Sequence, residues 1–354
     1  MNRLMRIDER LAAMAKPALE PVTAIDLAQD DCLVLCAGFE DRASAVLKST
    51  VAQSAGFRVV TVAYEPFIPA NRTDEIRGIV TGAGVDSREI VYDRMNPAGL
   101  GDDLLREVAD VRGRLFLDIS AMSRLLIVQC LVALRDWRGG LLDCVIAYAE
   151  AAGYPPAQAE VGDALRQAEA NPLASFLLLS SGVDELTLVP ELSAAAVGPI
   201  QTRLVVFPSF SPEQITALRN ELSPSRCTFI HGVPPRDENR WRTEAIARIN
   251  QIDLAGPDNL YTSTLDYRET LDCLLLLYGQ HSESERLLVS PTGSKMQAVA
   301  VGLFRALLDD VQIVYPTPRE FRAHNDYTRG VRQIYSLSVA PFAPIIQTHT
   351  IASE

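Results

Sequence analysis

Lysine is nearly missing from this chain. Only Lys16, Lys48 and Lys295 occur in 354 residues, and every other basic residue is arginine. Positive charge in general is short, with 33 Lys and Arg against 45 Asp and Glu, a net charge of −12. A field of that sign opposes broad contact with DNA, RNA or anionic lipid, and leaves room for no more than a small, locally positive pocket. No apolar run approaches the roughly 20 residues needed to cross a bilayer. The opening MNRLMRIDERLAAM is too charged for a secretory segment, so a cytoplasmic location without a membrane partner is expected. The four histidines are dispersed and form no nucleophile, base and carboxylate grouping. The cysteines at 32, 36, 130, 144, 227 and 273 contain no C-x-x-C pair. Cys32 and Cys36 fall about 13 Å apart along a strand, too far to share a metal. They read as reduced core thiols, and neither a metal nor a cofactor is expected.

What is present is a 48% hydrophobic chain, with material for one large core or two ordinary ones. Residues 1–17 read as an amphipathic helix, with Leu4, Ile7, Leu11 and Met14 at three- and four-residue steps and Pro17 at its end. It suits docking on its own domain or on a partner chain. From residue 28 the pattern alternates between short apolar runs and helical stretches. Strands are expected at Cys32–Phe39, Phe57–Pro66, Glu89–Asp93, Arg114–Ser120 and Leu142–Glu150. Helices between them, at Ala43–Val51, Thr73–Val80, Asp102–Val111 and Ser123–Trp137, imply right-handed crossovers and a mainly parallel sheet.

The programme then repeats. Thr202–Phe210 reads as a strand, Pro212–Leu222 as a helix, and RCTFIHGVPP as a second strand. RLFLDISAMSRLLIVQCLVALRD (Arg114–Asp136) and RLLVSPTGSKMQAVAVGLFRALLDD (Arg286–Asp310) both run strand, small polar turn, apolar helix. Each copy ends in an alternating segment, DELTLVPEL and RQIYSLSVA, suited to an antiparallel edge. The expected fold is α/β: two tandem Rossmann-like domains, each a mainly parallel sheet with helices on both faces and an antiparallel edge. Their expected bounds are 28–192 and 201–345, with a linker at 193–200. No nuclease, protease or winged-helix module is left over.

In such sheets ligands bind where strand C-termini meet helix N-termini, because exposed amides and the helix dipole favour anions there. The turn SPTGSKM offers Thr292 and Ser294 hydroxyls, Gly293 for close backbone approach, Lys295 for charge and Met296 for packing. DISAMSR offers Asp118, Ser120, Ser123 and Arg124. The first turns add GFEDR, with Gly38, Glu40, Asp41 and Arg42, and PSFSP, with Ser209, Phe210 and Ser211. A second reading fits the same residues: Ser, Thr and Asp before a helix are ordinary N-caps, and a turn glycine answers a backbone need.

A strand, Thr-Gly-Ser-Lys-Met and an apolar helix together resemble the turn after the fourth strand of CRISPR-associated Rossmann-fold (CARF) domains, where Thr-Gly-Gly-Thr-Lys is common. The match covers Ser290–Met296, and the topology resemblance covers both repeats. The resemblance implies a pocket at a two-fold interface that binds cyclic oligonucleotide second messengers in antiviral defence. It carries Thr292, Gly293, Ser294, Lys295, Met296, Ser209, Phe210 and Ser211 over as ligand contacts. The amino-terminal copy departs from it, with Ala121 in the place of glycine and Arg124 one position beyond Lys295. By this resemblance the chain is a sensor binding a nucleotide-derived small molecule between its two domains, within one chain or across a homodimer. Two rivals use the same residues. One is a ring-nuclease-like enzyme, or another nucleotide hydrolase or glycosyl-transfer enzyme, with Glu40, Asp41 and Asp118 as candidate bases. The other is a scaffold for a separate effector protein.

Overall fold

CLVLC (Cys32–Cys36) is buried at every position, which a strand achieves only when both faces of its sheet are covered. LVV within Gln201–Val206 and LLVS within Glu285–Ser290 are covered in the same way. The computed structural model describes residues 6–54, 56–138, 141–170, 180–194, 201–321 and 327–345. Along the chain come α1 (Ile7–Ala13), β1 (Glu20–Val22), β2 (Cys32–Cys36), α2 (Ala45–Val51), β3 (Arg58–Glu65), α3 (Thr73–Ala83), β4 (Asp86–Asp93) and α4 (Leu100–Glu107). β5 (Leu115–Asp118), α5 (Arg124–Leu134), β6 (Cys144–Gly153), α6 (Gln158–Ala170) and β7 (Ser180–Thr187) follow. The second series is β8 (Gln201–Val206), α7 (Pro212–Leu222), β9 (Arg226–Val233), α8 (Trp241–Ile249), β10 (Asn259–Ser263) and α9 (Tyr267–His281). It closes with β11 (Glu285–Ser290), α10 (Lys295–Leu307), β12 (Gln312–Ile313), β13 (Tyr315–Phe321) and β14 (Arg329–Ser338).

These elements form two Rossmann-like α/β units. One sheet runs β1-β14-β6-β5-β2-β3-β4 and the other β10-β9-β8-β11-β12. The five parallel strands of each, numbered by appearance, stand in the order 3-2-1-4-5, that of a doubly wound dinucleotide-type sheet. The order reverses between β2 and β5 in one unit and between β8 and β11 in the other. The four polar turns picked out from the sequence all leave these four strands.

The unit bounds differ from those expected. One unit, here the N-half unit, comprises Met14–Pro155 with Asp326–Glu354. The other, the C-half unit, comprises Met1–Ala13 with Pro156–Asn325. The reason lies in the two alternating segments, which are antiparallel, DELTLVPEL only over residues 184–187 before a short 3-10 turn at Pro190–Leu192, and each of which pairs with the other half of the chain. β14 pairs with β6, placing Tyr335 beside Tyr148, and extends that sheet to β1. β7 pairs with β13 as a separate two-stranded ladder, Tyr315 beside Thr187, so the five-stranded sheet itself is wholly parallel. Of the expected linker, Ser193 and Ala194 accept bonds from Arg305 and Arg286 of the C-half unit. Residues 195–200 lie outside the described residues.

α1 docks within the C-half unit, on α9. Leu11 is 0% exposed, and the Arg6 guanidinium sits 2.9 Å from Glu283 and 5.9 Å from the centre of the Tyr278 ring. Its apolar face is therefore engaged by its own chain. The expected contacts of residues 1–5, Leu4 among them, lie outside the described residues.

Candidate functional site

In each unit the site is the end of the first and fourth parallel strands, where two turns meet. They meet closely. A Cβ on Gly38 would stand 3.0 Å from both the Cβ and the carbonyl oxygen of Ala121. In the C-half unit the glycine is on the opposite wall: a Cβ on Gly293 would stand 2.9 Å from the Cβ of Phe207 and overlap Gln297 Oε1. Ala121, which departs from the glycine pattern in sequence, is thus compensated by Gly38 across the gap.

The C-half turns are tied together by their own hydroxyls. Thr292 Oγ1 donates to the Phe207 carbonyl at 2.7 Å. Ser294 caps α10 and accepts from the Gln297 amide at 3.1 Å; Gln297 Oε1 accepts in return from the Ser294 amide at 2.8 Å, completing a capping box. The Ser294 hydroxyl also donates to the Thr264 carbonyl at 2.7 Å. Ser209 Oγ donates to Gln214 Oε1 at 3.2 Å and accepts from the Ser211 amide at 3.3 Å. Phe210 is buried against Trp241 with the Arg242 guanidinium over its ring at 5.3 Å, and Met296 is buried in the core. Lys295 is the first residue of α10 and is half-buried.

The N-half turns hold more charge, and that charge is internally paired. Arg42, 3% exposed, sits 2.8 Å from Glu40 and donates to Tyr148 Oη and the Ala149 carbonyl, both at 3.0 Å. Asp41 pairs with Arg72 at 2.6 Å. Asp118 Oδ1 accepts from the Ser120 amide at 2.9 Å and its hydroxyl at 2.5 Å, and the same hydroxyl oxygen accepts from the Ala149 amide at 2.8 Å. Ser120 is 0% exposed. Ser123 caps α5 through the Leu126 amide at 3.2 Å, and Arg124 is the first residue of that helix, half-buried. The carboxylates named as candidate bases are therefore held in place by a guanidinium or a hydroxyl.

Sequence reading missed the strap on the GFEDR turn. Thr328 donates to Glu40 at 3.1 Å, the Gly330 amide donates to Asp41 at 3.4 Å, and Tyr327 packs edge-on against Phe39 at 5.0 Å. These residues are nearly 290 positions away in sequence, so no local signal marks them.

A pattern in the helix starts sets α5 and α10 apart. α1, α3, α4, α6, α7, α8 and α9 each have an acid in the first turn, as the dipole favours. α2, α5 and α10 have none; of these, only α5 and α10 begin with a serine side-chain cap followed by a cation, whereas α2 begins at Ala45 with no side-chain cap. Among the described residues no group of three His, Cys, Asp or Glu is placed to hold a metal. None of the six cysteines is in a disulfide, and burial pushes Cys32 and Cys144 up to about 12.

No family model matches the chain, and no curated protein matches it. In structure it is similar to a type III CRISPR defence DNA nuclease activated by cyclic oligoadenylate, with a TM-score of 0.47 and 11% identity over 80% of this chain and 65% of that one. It is also similar to the cytoplasmic domain of a prokaryotic cation chloride cotransporter, with a TM-score of 0.24 and 10% identity over 83% of this chain and 98% of that one. The chain spans about 65% of the nuclease's length. At these scores neither likeness says what this chain binds; its own strand order is what makes it a pair of Rossmann-like units.

Proposed function

We propose that this chain is a cytoplasmic sensor that binds a phosphate-bearing, nucleotide-derived second messenger, a cyclic oligonucleotide in antiviral defence. The observation that carries the reading is the start of α10: a serine cap, then Lys295, with no acid in the first turn, at the end of the fourth strand. A helix N-terminus carries roughly half a positive charge, and a cation placed there adds to the positive potential that an anion meets. α5 repeats the arrangement with Arg124. A phosphate over the turn meets backbone amides, dipole and ammonium together, and needs no metal. The resemblance of Ser290–Met296 to the CARF turn supports the choice of ligand class, and the shared strand order supports reading the units as copies.

No helix among the described residues is long and apolar enough to cross a membrane. Titration calorimetry with a panel of cyclic oligonucleotides tests the reading. Saturable binding is expected, weakened about tenfold or more in Lys295→Ala, the loss of one charge-assisted contact. Equal binding by both proteins, or binding by neither, overturns it.

A further inference from the structure

The two turn pairs occupy equivalent places in their units, yet their chemistry differs. The N-half turns, 38–42 and 118–124, carry Glu40, Asp41 and Asp118 against Arg42 and Arg124. Arg42 is engaged by Glu40, and Arg72 from the next loop by Asp41. The C-half turns, 207–212 and 290–296, carry a single charged residue, Lys295. Glu213, the next residue along, lies in the first turn of α7, and burial raises its pKa above the ordinary carboxylate value. At the N-half switch point an anion therefore meets Glu40 and Asp41 already paired with guanidinium groups, and at the C-half switch point it meets the ammonium at the start of α10.

The residue ending the fourth strand sharpens the contrast. In the N-half unit it is Asp118, whose Oδ1 takes two bonds from Ser120. In the C-half unit it is Ser290, 0% exposed, whose hydroxyl has no hydrogen-bond partner among the described residues. A buried hydroxyl left so is destabilising unless another group answers it. It lies at the base of the turn that leads to the cation-led start of α10.

We propose that the two switch points are unequal: the phosphate is held by the C-half turns, with Ser290 as a further ligand-contacting hydroxyl, while the N-half turns serve as their structural counterpart. This rests on the sensor reading and specifies which residues of it meet the anion. The Ser290 hydroxyl donates to a phosphate or ribose oxygen, and Lys295 balances the charge.

Ser290→Ala separates this from a packing role. Removing an unpartnered hydroxyl leaves the unfolding midpoint unchanged or raised, whereas losing a ligand contact weakens binding of cyclic oligoadenylates about three- to tenfold. The same titrations on Lys295→Ala and Arg124→Ala compare the two ends, with the larger loss expected from Lys295→Ala. Unchanged affinity in Ser290→Ala, or a loss from Arg124→Ala equal to or above that from Lys295→Ala, overturns the inequality and leaves the sensor reading standing. Failure of the unaltered protein to bind any of the probes overturns both.

Discussion

Ser120 and Ser290 show how little a residue's type says about its work. Both are wholly buried serines beside a switch point, but the first joins Asp118 and the Ala149 amide while the second joins nothing described. Ser120→Ala leaves a buried carboxylate and a buried amide short of partners, so a loss of about 2 kcal/mol is expected in urea denaturation. Gly293→Ala forces a methyl against Phe207 and Gln297 and breaks the capping box. A cost of about 2 kcal/mol is expected from the same measurement, combining the lost cap with the overlap.

His231 gives a pH prediction. It is buried, its Nε2 lies 2.8 Å from Asn259 Oδ1, and its ring stacks on Tyr261. Burial lowers its pKa below the ordinary value, so on acidification the unfolded chain takes the proton first. Stability from this group is flat above about pH 6.5 and falls as pH drops below it. His231→Gln is expected to lose less stability between neutral pH and about pH 5 than the unaltered chain does, as followed by urea midpoints.

At the scale of elements, local signals read well. The helix expected at Pro212–Leu222 forms over those residues, because proline at its first position and the apolar spacing are both written in adjacent residues. The strand expected at Arg114–Ser120 ends at Asp118, where the carboxylate turns back to bond Ser120. Local pattern does not mark α8, β10 or α9; the run LLLL in α9 erases the polar–apolar contrast that marks a helical period. α1 was legible as amphipathic, but its receiving surface was not. Leu11→Ala removes its fully buried anchor, at a cost of about 3 kcal/mol. If docking depends on Leu11, hydrogen exchange at residues 7–13 rises about 100-fold while the sheets are unaffected.

For the whole molecule, the exchange of β7 and β14 matters most. The backbone passes between units three times, after residues 13, 155 and 325, so neither unit is a continuous piece of chain. Residues 14–155 alone leave the ten-residue edge of β6 unpaired, an invitation to aggregation. They are expected to elute as aggregates on size exclusion, and to become monomeric when residues 327–345 are joined to them through a flexible linker. Monomeric behaviour without the added strand would show that β14 is dispensable.

The sequence alone determined the α/β class, the repeated strand–turn–helix units and the four turns that end at the switch points, because periodicity and turn chemistry are properties of neighbouring residues. It also marked two segments as antiparallel strands. Only the tertiary structure decided which sheet each strand joins, which hydroxyls and carboxylates satisfy one another, and that the glycine missing beside Ala121 stands at Gly38. Those outcomes depend on groups far apart in sequence, and an alternating strand carries the same pattern whichever edge it completes.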